Sequence, residues 1–384
     1  MSLDQIKKVA VIGAGDMGHG IAEVALLAGY PVTLYDINTA AVEKGAARIL
    51  ASLEKLEEKG KVPAAAVEQI RSQLLKTTTD LAEAAGTADL VIEAIPEVLD
   101  LKRRMFVQLD ELAPPHALLA SNTSTMSITE IGASTKRPAQ VLGLHFFNPA
   151  VLMKLVEVIR SQHTSDATIQ TGYAFGQKIG KVPVLVRRDT PGFIANRVTA
   201  ASTALVQTVV ESGEIEPEAL DAFLMQVGMP MGPCELTDYV GIDVMVHVCR
   251  YFAEQLHPDY APAPHLVRMF EQGHLGKKSG QGYYDWSSGR PQIDRSQATK
   301  RFHPLLPIFV QINEATKLVE DGVCSVADVD LAMIHSTGNP VGPMSIGRQI
   351  SHWDLTDQLE RLAARYHKSI FQPTQRVREG GHKH

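Results

Sequence analysis

The chain is poor in cysteine, in long apolar runs and in net positive charge, and each shortage removes a class of protein. Cys234, Cys249 and Cys324 are scattered over 384 residues with no C-x-x-C pair and no even framework. That pattern predicts reduced thiols in a cytoplasmic compartment rather than a disulfide scaffold. The longest uncharged helical stretch, Val198 to Val210, is too short to span a bilayer, so no membrane segment is expected. Lys7-Lys8 before an apolar run imitates a signal peptide, but three glycines interrupt that run and Asp16 charges it. A net charge of −6 gives no general attraction to nucleic acid or to an anionic membrane, so any anionic ligand must be held by local basic groups. His382 and His384 read as a solvated tail, and no metal site is expected.

What is present is ordinary in bulk, with 45% hydrophobic and 21% charged residues, and long enough for two or three domains. The informative stretch comes first. Val9-Ala10-Val11-Ile12 has the length of a buried parallel strand, and Ile21 to Ala28 reads as a helix. Between them stands Gly13-Ala14-Gly15-Asp16-Met17-Gly18, a G-x-G-x-x-G in the strand–turn–helix setting that gives the pattern meaning. Gly13 permits the turn, Gly15 lets backbone approach a pyrophosphate, and Gly18 lets helix and strand pack. The helix N-terminus offers unpaired N–H groups to the phosphates. A second strand, Val32 to Tyr35, ends at Asp36, eighteen residues past Gly18, where an acid can accept hydrogen bonds from an adenosine ribose. Asp36 would repel a 2′-phosphate and Ile37-Asn38-Thr39 offers no arginine to bind one, so NAD is the expected dinucleotide.

A long helical stretch from about Thr39 to Leu75, broken at Gly60-Lys61-Val62-Pro63, reads as a helical hairpin inserted into the sheet topology. Lys55, Lys59 and Lys61 gather near its tip, as a solvated helix end or as contacts for an anionic ligand. Further strands are read at Thr77–Thr79 (weak), Ala88–Ala94, Ala117–Ser121, Val141–Phe147, Leu155–Ile159 and Val182–Val186. Strands alternating with helices indicate a doubly wound α/β domain with its ligand at the carboxyl ends of the strands.

Composition changes at Asp189-Thr190-Pro191-Gly192, beyond which helices dominate. This region repeats itself. Glu211-Ser-Gly-Glu-Ile…Asp221…Gly228-Met-Pro-Met-Gly232-Pro233 returns about 109 residues later as Glu320-Asp-Gly-Val-Cys…Asp330…Gly338-Asn-Pro-Val-Gly342-Pro343. A repeat that long implies a duplicated all-α domain rather than a solenoid. The expected organisation is residues 1–188, the dinucleotide domain with its hairpin (39–75); 189–297, the first helical copy; and 298–384, the second, with a polar tail. Gln311-Ile-Asn-Glu314 reads as the replacement for Phe193-Ile-Ala-Asn196 in the second copy.

Two strand ends carry candidate chemistry. Asn122-Thr123-Ser124 follows one strand and His145 ends the next, with Glu157 twelve residues on, where adjacent strands can set the pair side by side. Oxidising a secondary alcohol needs a base for the hydroxyl proton, and histidine titrates near neutrality. A carboxylate on its other nitrogen would fix the tautomer. Ser124 and Asn196 could hydrogen-bond the substrate oxygens. By spacing alone a lone histidine at a strand end is more often structural, and a single Ser or Asn says less.

The runs Gly143-Leu-His-Phe-Phe-Asn-Pro149, Met153-Lys-Leu-Val-Glu-Val-Ile159 and Asp189-Thr-Pro-Gly-Phe-Ile-Ala-Asn-Arg197 resemble the 3-hydroxyacyl-CoA dehydrogenase family. Ser121-Asn-Thr-Ser124, Lys181-x-Pro183, Met231-Gly-Pro233 with Leu236-x-Asp238-Tyr-Val-Gly241, and Gly276-Lys-Lys-Ser-Gly280 extend the likeness along the chain. The resemblance implies an NAD-dependent enzyme of fatty-acid metabolism acting on acyl-CoA. It makes His145 the base, Glu157 its partner, and Ser124 and Asn196 the substrate-orienting groups. Gly13, Gly15, Asp16, Met17, Gly18, Asp36, Glu97, Lys102, Ser124, Asn148 and Lys278 then fall at cofactor positions. Without it, Glu97 and Lys102 read as an exposed helix-start ion pair. Members with one helical domain dimerise through it. Here the second copy is expected to pair with the first inside the chain, leaving one active site, which is compatible with homodimerisation of the whole chain.

Three readings remain. The first is an L-3-hydroxyacyl-CoA dehydrogenase, short-chain in preference. The second is a relative acting on a small hydroxy acid such as carnitine or gulonate; such relatives tend to lack the Phe146-Phe147 pair and the second copy. The third is a non-catalytic nucleotide-binding protein, which the joint presence of Ser124, His145, Glu157 and Asn196 argues against.

Overall fold

In the computed structural model, which describes residues 1–383, the chain divides into two compact units. The first comprises Met1–Ile194 and Gly322–Gly342, and the second Ala195–Asp321 and the chain from Pro343 onward.

The first unit opens with β1 (Val9–Ile12), α1 (Gly18–Leu27) and β2 (Val32–Tyr35). The hairpin follows as α2 (Thr39–Glu58) and α3 (Ala64–Gln69), turned at Gly60-Pro63 and ended by a π-helical turn at Ile70–Leu74. Helix α2 starts where the Asn38 side chain accepts from the Ala41 N–H, and it buries Val42, Gly45, Ile49 and Leu53, one face at helical spacing. Then come β3 (Leu75–Thr78), α4 (Leu81–Ala85), β4 (Leu90–Glu93), α5 (Leu99–Leu112), β5 (Leu118–Ser121), α6 (Ile128–Gly132), β6 (Val141–Phe146), β7 (Leu155–Ile159), α7 (Asp166–Lys178) and β8 (Val182–Val186). They form an eight-stranded sheet in the order β3-β2-β1-β4-β5-β6-β7-β8, every pair parallel except β6–β7. Every residue of β1, β4, β5, β6 and β7 is buried, which is why these strands stand out in the sequence as runs interrupted by a polar side chain only at Glu93, Ser121, His145 and Glu157. The order reverses between β1 and β4, the crevice where a doubly wound sheet takes its ligand.

The second unit holds α8 (Ala195–Glu211), α9 (Pro217–Gln226), α10 (Pro233–Val240), α11 (Ile242–Gln255), α12 (Pro264–Glu271) and α13 (Leu306–Glu320). The chain then returns α14 (Val326–Thr337) to the first unit, where it packs on β7 and β8. The Arg187 N–H donates to the Val323 carbonyl at 2.7 Å, and Arg187 pairs with Asp328 at 3.0 Å. The second unit closes with α15 (Pro343–Gly347), α16 (His352–Tyr366) and α17 (Gln375–Arg378). Among the described residues no helix is long and apolar enough to cross a membrane.

The repeat has a physical basis. Asp221 accepts from the Cys234 and Glu235 N–H groups at 2.9 and 2.8 Å, capping α10, and a Cβ on Gly232 would lie 2.2 Å from its carboxyl carbon. In the second copy a Cβ on Gly342 would lie 2.2 Å from Asp330 Oδ1. An aspartate seated against a Gly-Pro helix start is thus built twice.

Three expectations are corrected. The weak third strand begins earlier, at Leu75, because it pairs in register with Val32 once the π-helical turn ends. Gln311–Glu314 is not the counterpart of Phe193–Asn196. Gln311 donates to Ser202 at 3.0 Å across an offset of 109 residues, the repeat's own spacing. At that offset Asn196 answers to Leu305 and Glu314 to Leu205, in the middle of α8. A hydrogen bond between equivalent positions is what a twofold relation places at its axis. Finally, His382 is no solvated tail: it is fully buried, and burial holds its imidazole below the usual range. His384 lies outside the described residues.

Candidate active site at the carboxyl edge of the sheet

The glycine loop is wedged between strand ends and helix. Gly13 has φ +104°, and a Cβ there would come 2.5 Å from the Ala94 carbonyl oxygen beyond β4. One on Gly18 would come 1.7 Å from the Gly13 oxygen. Gly15 differs: nothing stands within 4 Å of its hypothetical Cβ, so its face is open to an approaching group. Asp36 is fixed beside the loop, accepting from the Ala14 N–H at 2.9 Å and the Ile37 N–H at 2.8 Å. Met17 precedes α1 and packs partly buried on the core. An open glycine face, a helix start and an anchored acid suit the phosphates and ribose of a dinucleotide.

Next along the edge, the Glu97–Lys102 ion pair is present, but Lys102 is buried rather than exposed, which corrects that part of the expectation. Its ammonium lies 2.6 Å from Glu93, 3.1 Å from Glu97 and 3.1 Å from the Ile95 carbonyl. Glu93 also accepts from Ser121 at 2.6 Å. Glu97 accepts from Thr123 Oγ1 at 2.5 Å and from the Ser124 N–H at 2.9 Å. Burial opposes ionisation of Glu97, but Lys102, Thr123 and Ser124 outweigh it and hold the carboxyl below its ordinary value. Glu93 and Ser121 were missed in the sequence because each sits inside a run that reads simply as strand.

The antiparallel pair β6–β7 sets His145 directly opposite Glu157. His145 Nδ1 lies 2.7 Å from Glu157 Oε2, and both residues are buried. Glu157 Oε1 accepts from the Ile194 N–H at 3.0 Å. The ring lies between Phe147 and Phe193, at centroid distances of 4.4 and 5.7 Å. Among the described residues no protein group hydrogen-bonds Nε2. With Nδ1 donating to the carboxylate, the neutral ring presents Nε2 as an acceptor.

A cleft of about 490 Å³ is lined by Asp16, His19, Arg48, Ser52, Lys55 and Asn148, with Gly20, Ala51 and Pro149–Val151. Lys55 reaches it; Lys59 and Lys61 do not line it and stand exposed. Arg48 and Ser52 went unnoticed because single polar residues on an amphipathic helix look like any solvated face. Arg48 pairs with Asp16 at 2.6 Å. Asn196, in the first turn of α8, and Lys278, hydrogen-bonded to Asp243 at 2.6 Å, belong to the second unit.

The family model described as the NAD binding domain of 3-hydroxyacyl-CoA dehydrogenase matches residues 8–190, and its C-terminal domain matches twice, at 192–286 and 308–381. The chain belongs to the 3-hydroxyacyl-CoA dehydrogenase family. It is an NAD-dependent oxidoreductase, and NAD is its cofactor. A probable 3-hydroxybutyryl-CoA dehydrogenase of Bacillus subtilis is 44% identical over 289 residues, 73% of this chain and 98% of that protein. A 3-hydroxyadipyl-CoA dehydrogenase of Escherichia coli is 39% identical over 345 residues, 89% of this chain and 70% of that protein. The crystal structure of a 3-hydroxybutyryl-CoA dehydrogenase from Escherichia coli superposes with a TM-score of 0.89 at 32% identity, covering 98% of both chains. The twofold match of the C-terminal model accounts for the length beyond the Bacillus protein.

Proposed function

We propose that this dehydrogenase oxidises L-3-hydroxyacyl-CoA to 3-oxoacyl-CoA, reversibly and with preference for short chains such as 3-hydroxybutyryl-CoA, within fatty-acid metabolism. The observation that carries the reading is His145: buried, tied at Nδ1 to Glu157, and with Nε2 unspent at the edge of a sheet that also holds the glycine loop.

Gly13, Gly15, Asp16, Met17, Gly18, Asp36, Glu97, Lys102, Ser124, Asn148 and Lys278 would hold NAD, which would supply the hydride acceptor. His145 Nε2 takes the hydroxyl proton as the carbonyl forms, and Glu157 stabilises the resulting imidazolium without taking the proton itself. Ser124 and Asn196 orient the substrate oxygens. The burial of the pair excludes water that would dilute its charge. The CoA phosphates need cations that the net charge does not provide, and Arg48 and Lys55 at the 490 Å³ cleft suit them better than the solvated Lys59 and Lys61. Three buried free thiols support a reducing, cytoplasmic setting. Phe147 beside the histidine and the second helical copy favour this reading over a small-hydroxy-acid relative.

The test is an assay with acetoacetyl-CoA and NADH, repeated with longer 3-oxoacyl-CoA substrates and with free acetoacetate. Turnover of the thioesters falling with chain length is expected. Activity on small hydroxy or oxo acids in preference to thioesters would move the chain to the second reading.

A further inference from the structure

Glu23 is a carboxylic acid that the chemistry above does not use. It sits in α1 among Ile21, Ala22, Val24 and Ala25, all buried, and is itself 1% exposed. Among the described residues its carboxyl has one hydrogen-bond partner, the Ser52 hydroxyl of α2, 2.6 Å from Oε1. Ser52 also lines the cleft that carries Arg48 and Lys55. A buried acid therefore touches the cleft through a single hydroxyl.

A hydroxyl has one proton to give. When Glu23 is ionised it can only accept, so the Ser52 proton is committed to it and the cleft sees an oxygen. When Glu23 is protonated it donates to Ser52, and the hydroxyl is free to donate into the cleft. A phosphate oxygen accepts and does not donate, so it favours the second arrangement. It also disfavours a carboxylate charge one residue away. Both terms have the same sign.

We propose that Glu23 is a positioning residue for the anionic ligand of this cleft, acting through Ser52, and that phosphate binding there is coupled to uptake of one proton from solvent by Glu23. The inference rests on the reading of the cleft as the seat of the CoA phosphates. Burial pushes the Glu23 carboxyl up to about 7, against the lowering effect of Ser52, so the coupling falls in the working range. Other charged groups face the same ground. His19 is on Glu23's own helix, Arg48 and Lys55 are on α2, and Asp16 is on the loop, bridged to Arg48. Arg71, in the π-helical turn that packs on α1, is tied to Glu54. Of these, His19 alone would give a pH dependence of the same sign, because its charged form also attracts phosphate.

The experiment is calorimetric titration of the full chain with adenosine 3′,5′-bisphosphate between pH 7 and 9, where its phosphates are ionised throughout. Linkage to one proton, on a group that titrates at about 7 when the cleft is empty, predicts that Kd weakens up to about fiftyfold over that range. Glu23→Gln, whose amide donates to Ser52 at every pH, should bind tightly with a nearly flat profile. Ser52→Ala should bind weakly with a flat profile, and His19→Gln should keep the wild-type slope. Unaltered NADH binding in each variant checks that the fold is intact. A wild-type slope in Glu23→Gln, or its disappearance in His19→Gln, overturns the role of Glu23 while leaving the cleft assignment standing. If Arg48→Ala and Lys55→Ala leave the bisphosphate affinity unchanged, the cleft is not the phosphate site and both readings fall.

Discussion

Both units bury carboxylates, and they use them differently. In the first, Glu157 accepts from the Ile194 N–H and orients a histidine whose second nitrogen is unspent. In the second, Glu314 lies 2.7 Å from Arg197 and 2.8 Å from Lys317 and is fully enclosed by that pair. Asp238 is similarly committed, to the N–H groups of Tyr283 and Tyr284 and to Trp286 Nε1. A buried carboxylate is costly, so each must be offset by hydrogen bonds or opposite charge. Where every bond closes within the protein the group is structural. Where one bonded partner keeps a free valence, the group can serve chemistry. Lys102 offsets two carboxylates at once, its contacts going to Glu93, Glu97 and the Ile95 carbonyl.

The largest expected effect is on the open side of the comparison. His145→Gln should lower turnover about 10²- to 10⁴-fold with NADH binding retained. Glu157→Gln should lower turnover less, since the amide can still hold the ring but not stabilise its charge. Stopped-flow turnover together with NADH fluorescence titration measures both, and near-normal turnover in folded His145→Gln would place the chemistry elsewhere.

On the closed side, Glu314→Ala removes the buried carboxylate that Arg197 and the partly exposed Lys317 share. Breaking such a pair costs about 3–5 kcal/mol, read as a lower midpoint in urea unfolding followed by helical circular dichroism. The double variant Glu314→Leu with Arg197→Met should recover much of it. The duplication sharpens this case. At the repeat offset Glu314 answers to Leu205 and Arg197 to Leu306, so an ion pair on one side of the pseudo-twofold has apolar residues at the related positions. The two copies have diverged where they meet, and each sequence is fitted to the other. A double variant as unstable as Glu314→Ala would show that the pair is not self-contained.

The contrast also explains what was legible in the sequence. Seven of the eight strands fall where their apolar runs place them, because strands covered on both faces are apolar at most positions. The polar edge strand β3 carries no such run, and its start was misplaced. His145 and Glu157 were readable as a pair because an antiparallel return of twelve residues sets them opposite each other. The register of this segment was misread because Ile312-Asn313-Glu314 imitates Ile194-Ala195-Asn196, although the repeat's own offset of about 109 residues, which the Gln311–Ser202 hydrogen bond reproduces, already ruled it out. Glu23, Arg48 and Ser52 became visible only in three dimensions, since nothing in an amphipathic pattern says which polar residue faces a cleft.

Asp221 gives a smaller, pH-dependent effect. Burial raises its carboxyl to about 6, against the N–H groups of Cys234 and Glu235 and the Tyr284 hydroxyl. The folded state then takes a proton more readily than the unfolded chain. The group is therefore a destabilising charge above about pH 6, and that cost is relieved as pH falls toward the unfolded value near 4. Asp221→Asn removes the charge, so its stability relative to wild type should rise by about 2–3 kcal/mol from pH 4 to pH 7. Thermal unfolding of both proteins across that range checks it. A constant difference would mean that Asp221 does not titrate there and that its bonds are as complete as those of Glu314.

The smallest effect tests a first-unit carboxylate with no ionic partner among the described residues. Asp36 is held by two backbone N–H groups, one from the glycine loop and one from its own successor, so it cannot swing aside for a 2′-phosphate. Arg48, the arginine closest to the loop in its bonding, is engaged with Asp16. NADH should therefore exceed NADPH by at least about tenfold in kcat/KM, about 1.4 kcal/mol of discrimination. Asp36→Ser should reduce that ratio mainly by improving NADPH, while leaving KM for the acyl-CoA substrate unchanged. Equal efficiency with the two cofactors in the wild-type enzyme would mean that Asp36 spends its oxygens wholly on the loop. It would then belong with Glu314 and Asp238 among the carboxylates that only hold the fold together.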